Sequence, residues 1–357
     1  MTASSLRSGE LSRLARLMRS GGLLLVHGPD AQEAGDLVGA AMRSKTRLRA
    51  GIVDVDLCAS SEELAWRILR ASADALAGDK NLLDIPDDRR TPAEQKRWLA
   101  VRRALGRDFK LLDDPARYES IKREPAKLVS RAIAALARDG SASGRRILVV
   151  RGADSLIDVP RTRFTASERL LWSMRSAAQD TRKLVLILTG GPATIELVAA
   201  HDSAFRGWGR SFELTRLAGA ELVTALSEER GLTLTVARRI AELSEGLPRL
   251  ADRLAARAEQ EMRTSPAADP AEAAWAALLD AERPALRVTT RLVADLHRAA
   301  LPVCRALAKG RAPYSVARST EVTRALRVLH LRGLCESPAP RTWRLTDPLL
   351  AAWLKQQ

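Results

Sequence analysis

The sequence predicts an α/β fold: a five-stranded parallel sheet with a helical insertion, followed by an α-helical lid and a C-terminal winged helix-turn-helix. Three observations carry this. Short, continuous apolar runs (22–28, 146–150 and 183–189) are separated by segments of helical periodicity, the pattern of a parallel sheet covered on both faces. Beyond Phe212 the spacing of apolar residues becomes wholly helical, punctuated by Gly231 and Gly246. The last sixty or so residues read as helix, turn, helix, two short β-prone runs and a capped helix, which is a winged-helix order.

The elements follow in order. Residues 8–20 place apolar side chains three and four apart and predict an amphipathic helix before the first strand. Gly22-Leu-Leu-Leu-Val-His-Gly28 predicts a buried strand ending in a glycine turn, and residues 29–42 a loop entering a helix. Further strands are expected at Gly51–Cys58, Arg146–Val150, Lys183–Thr189 and Ser211–Leu214. Between the second and third lie helices at Ser61–Ala77 and Pro125–Ala137. The charged stretch from about Asp84 to Arg123 between them is expected to be a helical insertion with a solvated, partly mobile surface. Helices at Gly219–Glu229, Leu234–Leu243 and Pro248–Met262 form the lid, Thr264–Pro270 a linker, and residues 271–282 one more helix. In the last unit, helices are expected at Leu292–Lys309 and Glu321–Arg332, and a hairpin wing at 334–345. Asp347 then caps Pro348–Lys355. The domain division is 1–217 (core, insertion about 61–137), 218–264 (lid), 265–292 (linker and helix) and 293–357 (winged helix).

Composition narrows the function. The net charge is +15, and eleven Lys and Arg face only three Asp and Glu between His297 and Gln357, a local balance of +8. A uniform arginine bias would not concentrate charge this way; a polyanion partner would select it. The three cysteines (Cys58, Cys304, Cys335) are widely spaced and suggest neither a disulfide framework nor a zinc site, as fits a reducing cytoplasm. No signal-peptide core or membrane span is expected. No metal, triad or nuclease constellation stands out, and His27 reads as a structural histidine at a strand end.

The glycine turn has the outline of a phosphate-binding loop, G-x-x-x-x-G-K-[ST], in which Lys reaches the phosphates and a hydroxyl holds Mg²⁺. Counting from Gly28, the second glycine position is Glu33, the lysine position Ala34 and the hydroxyl position Gly35. Glu33 and Asp36 add negative charge where phosphate would sit. With no phosphate to order it, the loop is expected to pack on itself, with Asp30 or Glu33 capping the helix.

The order of elements resembles the AAA+ and STAND-type P-loop ATPases with a C-terminal winged helix, a group that includes origin-recognition-like and archaeal-type ATPases. Glu245-Gly-Leu-Pro-Arg249 resembles the sensor-2 motif opening a lid helix, and Phe212-Glu-Leu-Thr-Arg-Leu217 the strand leading into the lid. Trp343–Pro348 followed by Ala352-Trp353-Leu354 resembles the closing motif of the winged helix. The resemblance implies an ASCE-type sheet and a nucleotide site at Gly28, Glu33, Ala34, Gly35, Thr189 (as sensor 1) and Arg249. An arginine finger would fall at Arg206 or Arg210.

The catalytic positions depart from that group. After Ile147-Leu-Val-Val150, where Asp-Glu is implied, stand Arg151 and Gly152. Arg151 is expected to pair with Asp54, Asp56 or Asp154; the alternative is that it places a positive charge near where Mg²⁺ would sit, allowing nucleotide to bind without Mg²⁺. Phosphoryl transfer needs the lysine, the metal and an oriented water, so the reading is a degenerate, non-hydrolysing protein; ATP or ADP binding without hydrolysis stays open. DNA contacts are expected at Arg318, Thr323, Arg324, Arg327, Arg341 and Arg344. The expected role is a cytoplasmic accessory in DNA replication, transposition, repair or anti-phage defence, with a partner protein or further copies of itself. Two alternatives remain: an ATPase completed by a partner subunit, and a scaffold whose winged helix docks a protein.

Overall fold

The computed structural model describes residues 7–43, 49–79, 81–113, 124–138, 146–157, 167–179, 183–201, 203–264 and 269–357. They form two compact units. One comprises Gly9–His27 and Ala34–Glu213; the other comprises the N-terminal residues through Ser8, Gly28–Glu33 and Leu214–Gln357.

The first unit carries the sheet. Its helices and strands run α1 (Ser8–Leu17), β1 (Gly22–His27), α2 (Ala31–Arg43), β2 (Arg49–Asp54), α3 (Ser61–Ala77), α4 (Pro92–Leu105), α5 (Lys110–Asp113), α6 (Pro125–Arg138), β3 (Arg146–Arg151), α7 (Ser167–Gln179), β4 (Leu184–Gly190), α8 (Glu196–Ala199) and β5 (Arg210–Glu213). The five strands are all parallel in the order β2-β3-β4-β1-β5. Insertion of β4 between β1 and β3 makes this the ASCE-type arrangement. Residues 184–190 are buried throughout and 146–150 likewise, as central strands covered on both faces require.

Strand β2 starts two residues before the expected Gly51 and ends at Asp54. Arg49 and Ala50 pair with Arg146 and Ile147 through backbone groups, which need no apolar side chain. Past Asp54, Val55 N–H still bonds Arg151 O, but Cys58 N–H turns back to Val55 O, so the chain leaves the sheet.

The charged insertion is more ordered than its composition predicts. Thr91 and Glu94 form a reciprocal capping box at the start of α4. Trp98, Val101 and Leu105 fall on one helical face and are buried, and Phe109 meets Trp98 edge-on at 5.1 Å. Asp108 accepts both Nε and Nη2 of Arg131 on α6 at 2.7 and 2.9 Å. An apolar stripe at spacings of three and four was hidden among the charges. The remainder of that stretch, 114–123, lies outside the described residues.

The second unit is helical, with a small hairpin: α9 (Gly219–Arg230), α10 (Leu234–Leu243), α11 (Pro248–Thr264), α12 (Pro270–Leu296), α13 (Ala300–Ala308), α14 (Ser319–Leu331), β6 (Cys335–Ala339), β7 (Thr342–Leu345) and α15 (Pro348–Lys355). The strands β6 and β7 are antiparallel. Arg230 on α9 pairs with Asp252 and Glu259 on α11, and Asp347 caps α15 by accepting Leu349 N–H at 2.8 Å.

One expectation changes here. Instead of separate helices at 271–282 and 292–309, a single 27-residue α12 continues through Pro284 to Leu296, and a short break precedes α13. Proline removes one helix hydrogen bond, but Leu279, Leu286 and Val293, seven residues apart, are all buried on one face. That burial offsets the local cost. Of the expected linker, 265–268 lie outside the described residues. The core of this unit runs from Leu222 and Leu254 through Val303 and Leu326 to Leu350 and Leu354. Among the described residues, no helix is long and apolar enough to cross a membrane.

Candidate functional site

The loop after β1 is short. Helix α2 begins at Ala31, two residues before the second glycine position of the phosphate-loop pattern. The Asp30 carboxylate accepts the N–H groups of Gln32 at 2.9 Å and Glu33 at 3.2 Å, so a side chain of the protein holds the amides an anion would use. Gly28 is a glycine for a packing reason: a Cβ there would lie 2.7 Å from the Leu214 Cβ and 2.9 Å from its carbonyl oxygen.

Glu33 is buried and pairs with Arg7, whose Nε lies 2.5 Å from Glu33 Oε1; neither side chain is more than 1% exposed. Arg7 also donates from Nη2 to Thr215 O at 2.6 Å. Nothing in the sequence around Arg7 signals this pairing. Arg249, at the sensor-2 position, stands on the first turn of α11, is partly exposed and lies 3.8 Å from Asp30. Both line a cavity of about 420 Å³ floored by Leu247, Leu250, Leu286 and Leu349.

In the sheet unit, Ala34 is fully buried and its methyl has no reach. Arg151 ends β3 beside Thr189 of β4. The expectation that it pairs with an aspartate is overturned. Its Nη2 donates to Gly35 O at 3.2 Å, and among the described residues no carboxylate lies within ion-pair reach. The aspartates have other tasks. Asp56 accepts Ser155 Oγ at 2.7 Å, and Asp154 accepts Gly191 N–H at 2.8–2.9 Å and the Thr194 hydroxyl. Burial pushes the Asp154 carboxyl above the usual carboxylate range, while the hydrogen bonds from Thr194 and Gly191 oppose that rise. Thr189 is fully buried and its hydroxyl has no hydrogen-bond partner. His27 meets Ser211 Oγ at 2.7 Å, and burial lowers its imidazole's affinity for a second proton. Arg210 donates to Gly21 O at 3.0 Å and Arg206 to His201 O at 3.2 Å.

The nucleotide and Mg²⁺ implied by the fold do not fit these residues. Lysine and hydroxyl are replaced by Ala34 and Gly35, the acidic strand end by Arg151, and two loop amides are engaged by Asp30. Among the described residues, no group of three or more His, Cys, Asp and Glu side chains gathers as metal ligands do.

Helix α14 and the β6–β7 hairpin present a different surface. On α14, Val322, Ala325, Leu326 and Leu329 are buried, and Thr320, Thr323, Arg324 and Arg327 are exposed on the opposite side. Arg318 is exposed at the start of that helix, and Arg341 is exposed at the hairpin tip with φ +65°. Among the described residues, none of these four arginines forms an ion pair. Arg344 differs. Its Nε lies 2.6 Å from Glu336 Oε1, the same oxygen that accepts Arg216 Nε at 2.9 Å. Arg216 also donates to Thr346 O at 2.8 Å and Glu245 O at 3.1 Å, joining the hairpin to the turn between α10 and α11. Sequence reasoning missed Arg216 because its partners lie 29 to 130 positions away.

With this geometry in view, one solved structure is similar over nearly the whole chain. A Walker-type ATPase of Pyrococcus abyssi aligns with a TM-score of 0.65 at 15% identity, covering 98% of this chain and 95% of that one. The fold is similar to that of this Walker-type ATPase. Looser likenesses link it with two proteins of Aeropyrum pernix and carry no weight for function. One is the ORC1 protein in complex with DNA (TM-score 0.46, 15% identity, 98% and 91% covered); the other is the ORC2 protein in its ADP form (0.44, 14%, 99% and 90%). No protein-family model and no curated protein matches the sequence. Within this fold, Asp30, Glu33 and Arg151 make contacts inside the chain.

Proposed function

We propose that this chain is a DNA-binding, non-hydrolysing AAA+-like protein that acts as an accessory in DNA replication, transposition, repair or anti-phage defence. The observation that carries the reading is the exposed polar and cationic face of α14, Thr323, Arg324 and Arg327, flanked by Arg318 and Arg341. Cations without internal partners suit phosphate contacts, and residues on an exposed helix face suit base edges in a major groove. In this reading residues 293–357 are the DNA reader and 218–264 the lid. Residues 1–217, with 265–292 as connection, give a platform for a partner protein or a second copy. Arg344 serves by holding the wing through Glu336 rather than as a primary phosphate contact.

Duplex binding followed by fluorescence anisotropy at several salt concentrations tests this. Binding should weaken steeply with salt, and the full-length Arg324→Ala, Arg327→Ala variant should lose most of its affinity. A variant that keeps its affinity and salt slope would return the winged helix to the protein-docking alternative. For the nucleotide half, labelled ATP with Mg²⁺ should show no turnover above background. Turnover that survives purification and disappears in Arg249→Ala would overturn it.

A further inference from the structure

The mismatch between an AAA+-like fold and its nucleotide-site residues has a structural form. We propose that Arg151, seated on Gly35 and Gly39 of α2, is a built-in cation that takes over the place of the divalent metal, so that the strand-end region is closed and metal-independent. This deepens the non-hydrolysing reading but does not depend on DNA binding.

Four contacts within the sheet unit hold Arg151 in this place. Arg151 Nη2 donates to Gly35 O at 3.2 Å, bridging the end of β3 to the first turns of α2. A Cβ built on Gly35 would lie 3.3 Å from Arg151 Nε and 3.4 Å from its Cδ. A Cβ on Gly39, one turn on, would lie 3.4 Å from Arg151 Nη2. The Thr189 hydroxyl lies 3.6 Å from the same Gly35 position and, like Arg151 Nε, is buried without a hydrogen-bond partner. Two glycines inside one helix are unfavourable by propensity, and here both lie where the arginine side chain rests. The loss of the hydroxyl at position 35 and the loss of the acid at position 151 are then one coupled change. A serine at 35 would crowd the guanidinium, and an acid at 151 would leave the glycine groove unfilled. At the beginning of the same helix Asp30 caps the amides of Gln32 and Glu33.

The coupling is measurable as a sign reversal. Alanine is the better helix former, so Gly35→Ala should raise the thermal midpoint by a few degrees if nothing opposes it. With Arg151 in place the new methyl must push against Nε and Cδ, and Gly35→Ala should lower the midpoint instead. In an Arg151→Ala background the same substitution should raise it. If Arg151→Ala does not fold, Gly39→Ala in wild type against Gly39→Ala in Arg151→Met gives the equivalent cycle, because methionine keeps the stem and removes the guanidinium. Equal shifts in both backgrounds would make the glycines incidental and overturn the proposal. The wild-type midpoint should also be the same in EDTA and in millimolar MgCl₂, with or without ADP. A rise that needs Mg²⁺ would overturn the claim that Arg151 has replaced the metal.

Discussion

The start of α2 and the exposed face of α14 use charge in opposite ways. At α2, Asp30 is bonded to backbone amides, Glu33 to Arg7, and Arg151 to a helix carbonyl. On α14, Arg324 and Arg327 reach solvent with no internal partner among the described residues. Arginine abundance alone says nothing about which cations are available. Arg7 and Glu33, both enclosed by the fold, match each other, because a buried unpaired charge is strongly unfavourable. Groups on a surface can stay unmatched and wait for a polyanion. The +8 balance of the last sixth must therefore be discounted by its internal pairs. Arg344 is held by Glu336, and Arg298 by Glu321.

The largest effect should come from breaking a matched pair. Glu33→Ala leaves Arg7 enclosed without its carboxylate and should cost about 3–5 kcal/mol of stability, read from urea unfolding. A loss under about 1 kcal/mol would mean that Arg7 is solvated and the contrast with α14 is false. Next, Arg324→Ala and Arg327→Ala should each weaken duplex binding by roughly 1–3 kcal/mol if each side chain reads one base pair, with the urea midpoint unchanged. A stability loss equal to the binding loss would show that these side chains are structural. Arg341→Ala should act about equally on all DNA sequences if it meets only phosphate; a sequence-dependent loss would give the wing a reading role.

A smaller effect is expected at the cap. Asp30→Ala removes the acceptor for two α2 amides and should cost about 0.5–2 kcal/mol, whereas Asp30→Ser should cost much less. The last prediction concerns pH dependence at Asp74 on α3. Burial, opposed by Arg70, pushes its carboxyl from 3.8 up to about 6. The folded state therefore holds that proton more tightly than the unfolded chain does. Its contribution to stability should be fully present below about pH 4 and be lost as the pH rises through about 6, and Asp74→Asn should flatten that part of the profile. An unchanged profile in the variant would assign the pH dependence to another group.

The local part of this molecule was legible in the amino-acid order. Ser61–Ala77, Leu234–Leu243 and Pro348–Lys355 form helices at their expected limits, because caps such as Ser60, Thr233 and Asp347 act within three residues of themselves. The strand runs at 22–27 and 146–150 were readable because a sheet covered on both faces demands continuous apolar side chains. The departures at Ala34, Gly35, Arg151 and Gly152 were visible once the resemblance to the P-loop group said which positions to compare. Pairings between distant positions were not. Arg7 finds Glu33 across 26 residues, Arg151 finds Gly35 across 116, and Arg216 finds Glu336 across 120. Tertiary structure also carried α12 through Pro284 and folded Trp98 into a core beneath a charged exterior. Helix caps and apolar periodicity act over a few residues and leave a pattern in the chain. An ion pair depends on which segments packing brings together, and that choice is made by the whole fold.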